Sequence, residues 1–483
     1  MLFPTTVFAV FFLCVFTGSW LLAGRRSLWK WYLLASSYVF YGWWNWRFLF
    51  LIAGCSLVNH LLAVAISRSE AARKRRLLLI TAVMFDIGVL GFFKYYSFFV
   101  ISAYTLMLRL HLPCSLPLLD IVLPVGISFF TFQALSYVID VYRKDTPVAD
   151  SLLDFSTYLS FFPQLVAGPI VRAKVLLPQF NEDARRHNID AGRASSLILA
   201  GLFKKIVVAN TIAQAVVDPV FEDPGAFSAP DVLLGVYGYA IQIYCDFSAY
   251  SDIAIGIALL LGFRFPVNFN APYIATSFRE FWQRWHISLS TWLRDYLYIP
   301  MGGSRCEKWR IYRNIIITFL LGGLWHGAQW KFVVWGLLHG VYLAAERMLR
   351  QTIIRYHRGR GDTAALGERT VLKYTVRIIS GIAVFNLVCL AWVFFRASGF
   401  DDALVLLRRL GDWGPSVLWT FPAVCMLFIG FGMQWLDGER MAPVWDWLNR
   451  RSFLLHGALV AFILTIILGL GPKGVAPFIY FQF

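Results

Sequence analysis

Apolar positions along this chain come in long runs rather than in the one-sided stripes of a soluble fold. Met1 to Leu22, Trp31 to Ile66 (interrupted by Arg47 and His60) and Leu77 to Leu106 approach or exceed the roughly 20 apolar residues that cross a bilayer as a helix. Further runs fall near 119–139, 151–170, 195–217, 231–262, 311–325, 328–345, 376–395, 415–435 and 453–471. Together they predict an all-α, polytopic transmembrane protein of about 11–13 spans, with the shorter or broken runs re-entrant or interfacial. The polar stretches 172–193, 218–231, 302–313, 355–369 and 398–414 punctuate the spans, and none is long enough for a soluble domain. Residues 1–483 are therefore expected to form a single membrane domain.

Composition agrees: 58% of residues are hydrophobic, 17% aromatic and only 15% charged, against about 25% charged in an ordinary soluble domain. The net charge of +16 would suit nucleic acid if it lay along one soluble face, but the basic residues sit in short clusters between apolar runs. The positive-inside rule accounts for them. It places Arg25, Arg26 and Lys30 in the cytoplasm with Arg73, Lys74, Arg75 and Arg76, which requires two crossings between the clusters, near 31–45 and 48–67. The N-terminus then faces outward. The first run lacks a positive charge before its apolar stretch and reads as a retained helix rather than a signal. Seven cysteines show no paired CxxC spacing and mostly lie inside apolar runs, so neither a zinc site nor a disulfide frame is indicated.

One segment does not suit lipid contact. Asn268 to Ile299 is rich in both charge and aromatics. From Ser277, which stands three residues before Glu280 as in a capping box, Phe278, Phe281, Trp282 and Trp285 recur at helical spacing, with Arg279, Glu280, Gln283, Arg284 and His286 between them. Such a helix either lies at an interface, with Trp anchors and snorkelling Arg, or lines a polar cavity.

A second feature favours the cavity. The run Ile315 to Leu321 ends in Gly322-Gly-Leu-Trp-His-Gly-Ala328, which places His326 at membrane depth between small residues. An ionisable group there usually faces a protein interior or a water-filled cavity. Of the eight histidines, His187 and His357 fall in polar loops, and His60, His111 and His456 lack polar company within a turn; His339 either lines the same cavity or packs. His286 and His326 remain. A further cluster, Tyr244 to Asp252, sets Asp246 and Asp252 among apolar residues, where each needs a partner. Arg264, Arg284 and Arg294 are candidates, so the carboxylates either fix helix packing or touch substrate.

The stretch Glu280-Phe-Trp-Gln-Arg-Trp-His-Ile-Ser-Leu-Ser-Thr-Trp-Leu-Arg-Asp-Tyr-Leu-Tyr298, followed by Gly323-Leu-Trp-His-Gly327, resembles the signature pair of the membrane-bound O-acyltransferases, and most closely their polysaccharide-acetylating branch. Leu123 to Phe129, Phe162 to Pro169, Gly262 to Phe265, Trp392 to Ala397 and Pro477 to Phe483 match in the same order. The resemblance implies a polar funnel around a central histidine, which falls on His326, with His286 as the second recurrent polar position. It implies acyl transfer with His326 as general base and His286 orienting it or the donor. As hydrogen-bond donors, Trp325 and Ser288 are candidates to steady the oxyanion, and with them Asp246, Asp252, Arg284 and Arg294 are the candidate substrate-binding residues. It further implies no bound cofactor, acetyl-coenzyme A as donor substrate, and a bacterial inner membrane as setting. The expected partners are membrane lipid, an exported polysaccharide such as alginate, and a periplasmic acceptor protein. The aromatic C-terminus, Phe478 to Phe483, would be an interfacial anchor or a docking element.

A transporter or channel without chemistry of its own is the competing class. It predicts paired broken helices in two halves, whereas the polar residues here concentrate between Asp246 and His326. Within the enzymes, cellulose, teichoic acid or protein are alternative acceptors.

Overall fold

The computed structural model describes residues 1, 3–112, 116–166, 168–182, 189–359, 370–436 and 438–472. They form helices α1 (Thr6–Leu22), α2 (Arg26–Asn45), α3 (Phe48–Arg68), α4 (Ala72–Arg109), α5 (Ile127–Arg143), α6 (Leu152–Ser160), α7 (Ala191–Glu222), α8 (Ala229–Leu260), α9 (Phe278–Arg284), α10 (Ile287–Leu293), α11 (Lys308–His326), α12 (Trp330–Gly359), α13 (Thr370–Arg396), α14 (Phe421–Trp435) and α15 (Phe453–Leu470), with short turns and further connecting helices that include Phe400–Arg409 and Ala442–Asn449. Among the described residues seven helices are long and apolar enough to span a membrane, namely α3, α4, α7, α8, α12, α13 and α15, while α1 and α14 are shorter apolar helices. This is a multi-pass membrane protein.

The two basic clusters lie on one face, as the charge pattern predicts. Lys30, near the start of α2, pairs with Asp154 at the start of α6, while Arg75 at the start of α4 donates to the Tyr142 carbonyl at the end of α5 (2.6 Å). The hairpin of α2 and α3 lies between the two clusters; α3 is long and apolar enough to span a membrane, whereas α2, expected as the other crossing, is not among the helices that meet that measure.

The expected crossing at 151–170 is instead a re-entrant segment. Helix α6, capped by Ser151 (Asp154 N–H to Ser151 Oγ, 3.1 Å), enters from the basic face. The chain turns from Phe161 on and comes back alongside the helix, with the Tyr158 hydroxyl donating to the Val171 carbonyl (3.0 Å). Arg172 then reaches Asp295 at that same face (2.6 Å). The span expected at 119–139 likewise becomes helical only at Ile127. Gly126 before it adopts φ +76°, and a Cβ there would lie 2.5 Å from the Leu165 carbonyl oxygen at the re-entrant tip, so the close approach requires glycine.

A second re-entrant segment follows α8. The Trp20 indole donates to the Leu260 carbonyl (3.1 Å), and Arg264 and Gln179 exchange hydrogen bonds (2.7 and 3.0 Å). From there the chain runs inward to Tyr273, whose hydroxyl meets the Ala240 carbonyl within α8 (2.7 Å). It returns through α9 and α10 to Asp295. Irregular backbone at membrane depth is tolerated only where protein buries it, and each segment supplies the other: the Ile170 N–H donates to Ser288 Oγ (3.0 Å).

Helices α11 and α12 form a tight antiparallel hairpin. A Cβ on Gly323 would sit 2.2 Å from the Phe332 carbonyl oxygen, and one on Gly336 would sit 2.3 Å from that of Phe319. Small residues at such a crossing let two backbones touch.

Candidate functional site

The capping signal at Ser277 is realised: its hydroxyl accepts the Glu280 N–H (3.1 Å), while Glu280 accepts from the N–H and hydroxyl of Thr276 and from Arg284. The helix predicted to run on through His286 breaks, however, at Trp285. His286 adopts φ 41°, ψ 55°, a left-handed conformation uncommon for a residue with a Cβ. Asn268 compensates. Its backbone carbonyl accepts the Ile287 N–H (2.9 Å), and its side-chain Oδ1 accepts the Ser288 N–H (3.1 Å) and hydroxyl (2.8 Å). A residue distant in sequence thus caps α10. The aromatic stripe of α9 is buried against α12 and α13, with Trp285 and Trp392 rings 5.1 Å apart, rather than anchored at a lipid interface.

The same carboxamide sets the tautomer of His286. Asn268 Nδ2 donates to Ser251 Oγ (3.0 Å), so the 3.2 Å contact between Asn268 Oδ1 and His286 Nδ1 requires the proton on Nδ1. Nε2 then carries a lone pair; it is buried and has no hydrogen-bond partner among the described residues. The His286 ring centroid lies 5.8 Å from that of Trp325, which in turn lies 5.0 Å from that of His326.

His326 is the last residue of α11 and is 5% exposed, flanked also by Trp335 (4.9 Å) and Phe395 (5.3 Å). It lines a cavity of about 680 Å³ together with Trp43, Trp44, Lys94, Ser128 and Trp325. Trp43 and Trp44 end α2, so the cavity opens on the face opposite the basic clusters. His339 packs beside it, with Nδ1 accepting the Trp282 indole N–H (3.3 Å).

The structure therefore brings His326, Trp325 and His286 together and attaches Ser288 through Asn268. Both capacities of the Ser288 hydroxyl are engaged, by Ile170 and by Asn268. Asp246, Asp252, Arg284 and Arg294 do not line the cavity. Two of the three arginines expected to partner the carboxylates are paired elsewhere, Arg284 with Glu280 (3.0 Å) and Arg294 with Asp295 (2.7 Å), and the backbone of the third, Arg264, bonds Gln179. Lys205 holds Asp246 (2.7 Å) and Lys204 holds Asp252 (2.9 Å), both from α7 packed along α8. Each carboxylate is thus ion-paired to a lysine of a neighbouring helix, as a packing role would require.

At the basic face, partial burial would raise the Asp295 carboxyl, but hydrogen bonds and charge from Arg294 and Arg172 bring it below the usual carboxylate range. Arg143 and Arg172 also stack on Tyr296, whose hydroxyl donates to Asp140 (2.8 Å). Sequence reasoning passed over Lys94, Asn268 and Trp335. A lone lysine within the apolar run Leu77 to Leu106 was the available signal for the first.

The sequence is similar to known proteins. The profile of the membrane-bound O-acyltransferase family, MBOAT, matches residues 146–367. A probable alginate O-acetylase of Pseudomonas aeruginosa is 42% identical over 428 residues, covering 86% of this chain and 77% of its own. A probable alginate O-acetylase of Azotobacter vinelandii is 37% identical with both chains fully covered. A peptidoglycan O-acetyltransferase of Helicobacter pylori is 35% identical over 85% of this chain and 80% of its own. The match takes in both histidine motifs, and the chain belongs to the membrane-bound O-acyltransferase family.

Proposed function

We propose that this acyltransferase moves an acetyl group from acetyl-coenzyme A, made in the cytoplasm, to a hydroxyl on the outer side of a bacterial inner membrane. The product is an O-acetylated exported polysaccharide, reached through a periplasmic carrier protein. The observation that carries the reading is a buried His326 lining a cavity that reaches Trp43 and Trp44, at the end of α2 away from the basic face. By the positive-inside rule that mouth is periplasmic. The relatives named for O-acetylation of alginate and of peptidoglycan support an extracytoplasmic sugar polymer as the final acceptor. Arg143, Arg172 and Arg294 at the opposite face suit the phosphates of a coenzyme A thioester.

In this reading a neutral His326 accepts the proton of the attacking hydroxyl as its oxygen bonds to the thioester carbonyl. Collapse of the tetrahedral intermediate breaks the C–S bond, and the imidazolium returns the proton to the departing thiolate. His286 Nε2, buried and unprotonated, offers a second acceptor on the far side of Trp325 and orients the reacting group.

The test is polymer O-acetylation in cells whose own copy is replaced by wild type, His326→Ala or His286→Ala, with membrane abundance measured for each. His326→Ala at normal abundance is expected to lower acetylation by about 10²–10⁴-fold, the contribution of a positioned general base. Retained acetylation would move the reading to transport.

A further inference from the structure

Helix α4 is not uniform. Between Ala72 and Arg109 it contains one π-helical turn, Gly91–Tyr95. A π-turn acts as a one-residue insertion and rotates the residues beyond it by about 100° relative to a plain α-helix. The rotated pair is Lys94 and Tyr95. The Tyr95 hydroxyl donates to the Leu324 carbonyl (2.8 Å). The Lys94 ammonium donates to the carbonyls of Trp325 and His326 (3.3 Å to the latter) and to Ser128 Oγ (3.0 Å). These three consecutive carbonyls belong to the last turn of α11, where a helix leaves its final acceptors without internal partners. A cation at a helix C-terminus also meets the negative end of the macrodipole. The lysine stands partway along an apolar span, where an ammonium is costly, and it lines the cavity beside His326.

We propose that Lys94 and Tyr95 are positioning residues for His326: the π-turn exists to hold the end of α11 so that the imidazole keeps its place in the cavity lining. All three ammonium protons have protein acceptors, so Lys94 acts through the backbone that carries the histidine rather than on substrate. This inference rests on His326 being the base.

Its test uses the full-length protein in lipid nanodiscs, with acyl transfer followed alongside carbethoxylation of His326 by diethyl pyrocarbonate, read by mass spectrometry. Lys94→Met is expected to lower kcat at least tenfold with KM for the donor unchanged, and to raise the rate of His326 modification at least threefold as the helix end loosens. Lys94→Arg should recover a substantial part of both. Tyr95→Phe removes a single bond, keeps the ring, and should shift both readouts in the same direction by a smaller factor, which serves if Lys94→Met fails to accumulate. Wild-type kcat and modification rate in Tyr95→Phe and in any accumulating Lys94 variant would overturn the positioning role. Turnover surviving in His326→Ala would instead overturn the base assignment, and the modification rates would still report whether the π-turn holds the histidine.

Discussion

At Asn268 one side chain does the work of three: it caps α10, fixes the proton of His286 on Nδ1 and ties both to Ser251 on α8. Its loss would leave the Ser288 N–H and hydroxyl short of an acceptor in a buried site, at a cost of about 1–3 kcal/mol for an unsatisfied buried group. Asn268→Ala should therefore lower the thermal midpoint of the purified protein and cut acyl transfer by at least about tenfold, the factor that 1.4 kcal/mol represents at the barrier. Asn268→Asp keeps the acceptors but loses the donor to Ser251, and is expected to fall between alanine and wild type in a melt by intrinsic fluorescence. Asp295 gives a pH-dependent case. Its folded-state pKa is depressed, so its pairing with Arg172 and Arg294 contributes stability above the ordinary carboxylate pKa of about 3.9 and loses it as pH falls through the lower folded value. Asp295→Asn should melt below wild type at pH 7, and the gap should close as the pH is lowered through the carboxylate range.

Among the elements, the hairpin of α11 and α12 depends on glycine where the backbones touch. Gly336→Ala places a methyl against the Phe319 carbonyl; overpacking of this kind costs about 1–3 kcal/mol or more, and membrane abundance and thermal midpoint should both drop. Gly457→Ala on α15, where a methyl meets nothing within 4 Å, should leave both unchanged. The same contrast shows what the sequence could convey. Hydropathy located α3, α4, α7, α8, α12, α13 and α15, and the Ser277 cap announced α9, because span length and capping are local properties. The break at His286, the return of the chain after Ser160 and the lysine partners of Asp246 and Asp252 are not local. Each depends on a residue that folding brings near: Asn268 for the break, Ser288 for the return, Lys204 and Lys205 for the carboxylates. His326 was legible because a histidine between glycines at the end of an apolar run is costly on its own. Lys94 went unread because its hydrogen-bond partners are visible only against α11. Residues 183–188, with His187, and the C-terminal residues 473–483, with the proposed anchor, lie outside the described residues.

Across the whole molecule, one basic face and one cavity mouth opposite it define a direction. If the basic face is cytoplasmic, cysteines introduced at Trp43 and Arg75 should differ in labelling by a membrane-impermeant maleimide. Trp43→Cys should react in intact spheroplasts, and Arg75→Cys only after permeabilisation. The inverse pattern would reverse the orientation, and equal labelling from outside would overturn the opposition of the two faces. The two re-entrant segments, both rooted at the basic face, carry a further consequence for biosynthesis. The Ile170 N–H finds its acceptor in Ser288, 118 residues later in the chain. At the roughly 5–20 residues per second of translation, the first segment waits on the order of ten seconds before its partner emerges. During that interval its backbone has no lasting place in lipid. The insertion machinery must therefore shelter residues 152–172 until the second half arrives, and nascent chains stalled before residue 288 should be prime substrates for membrane proteases.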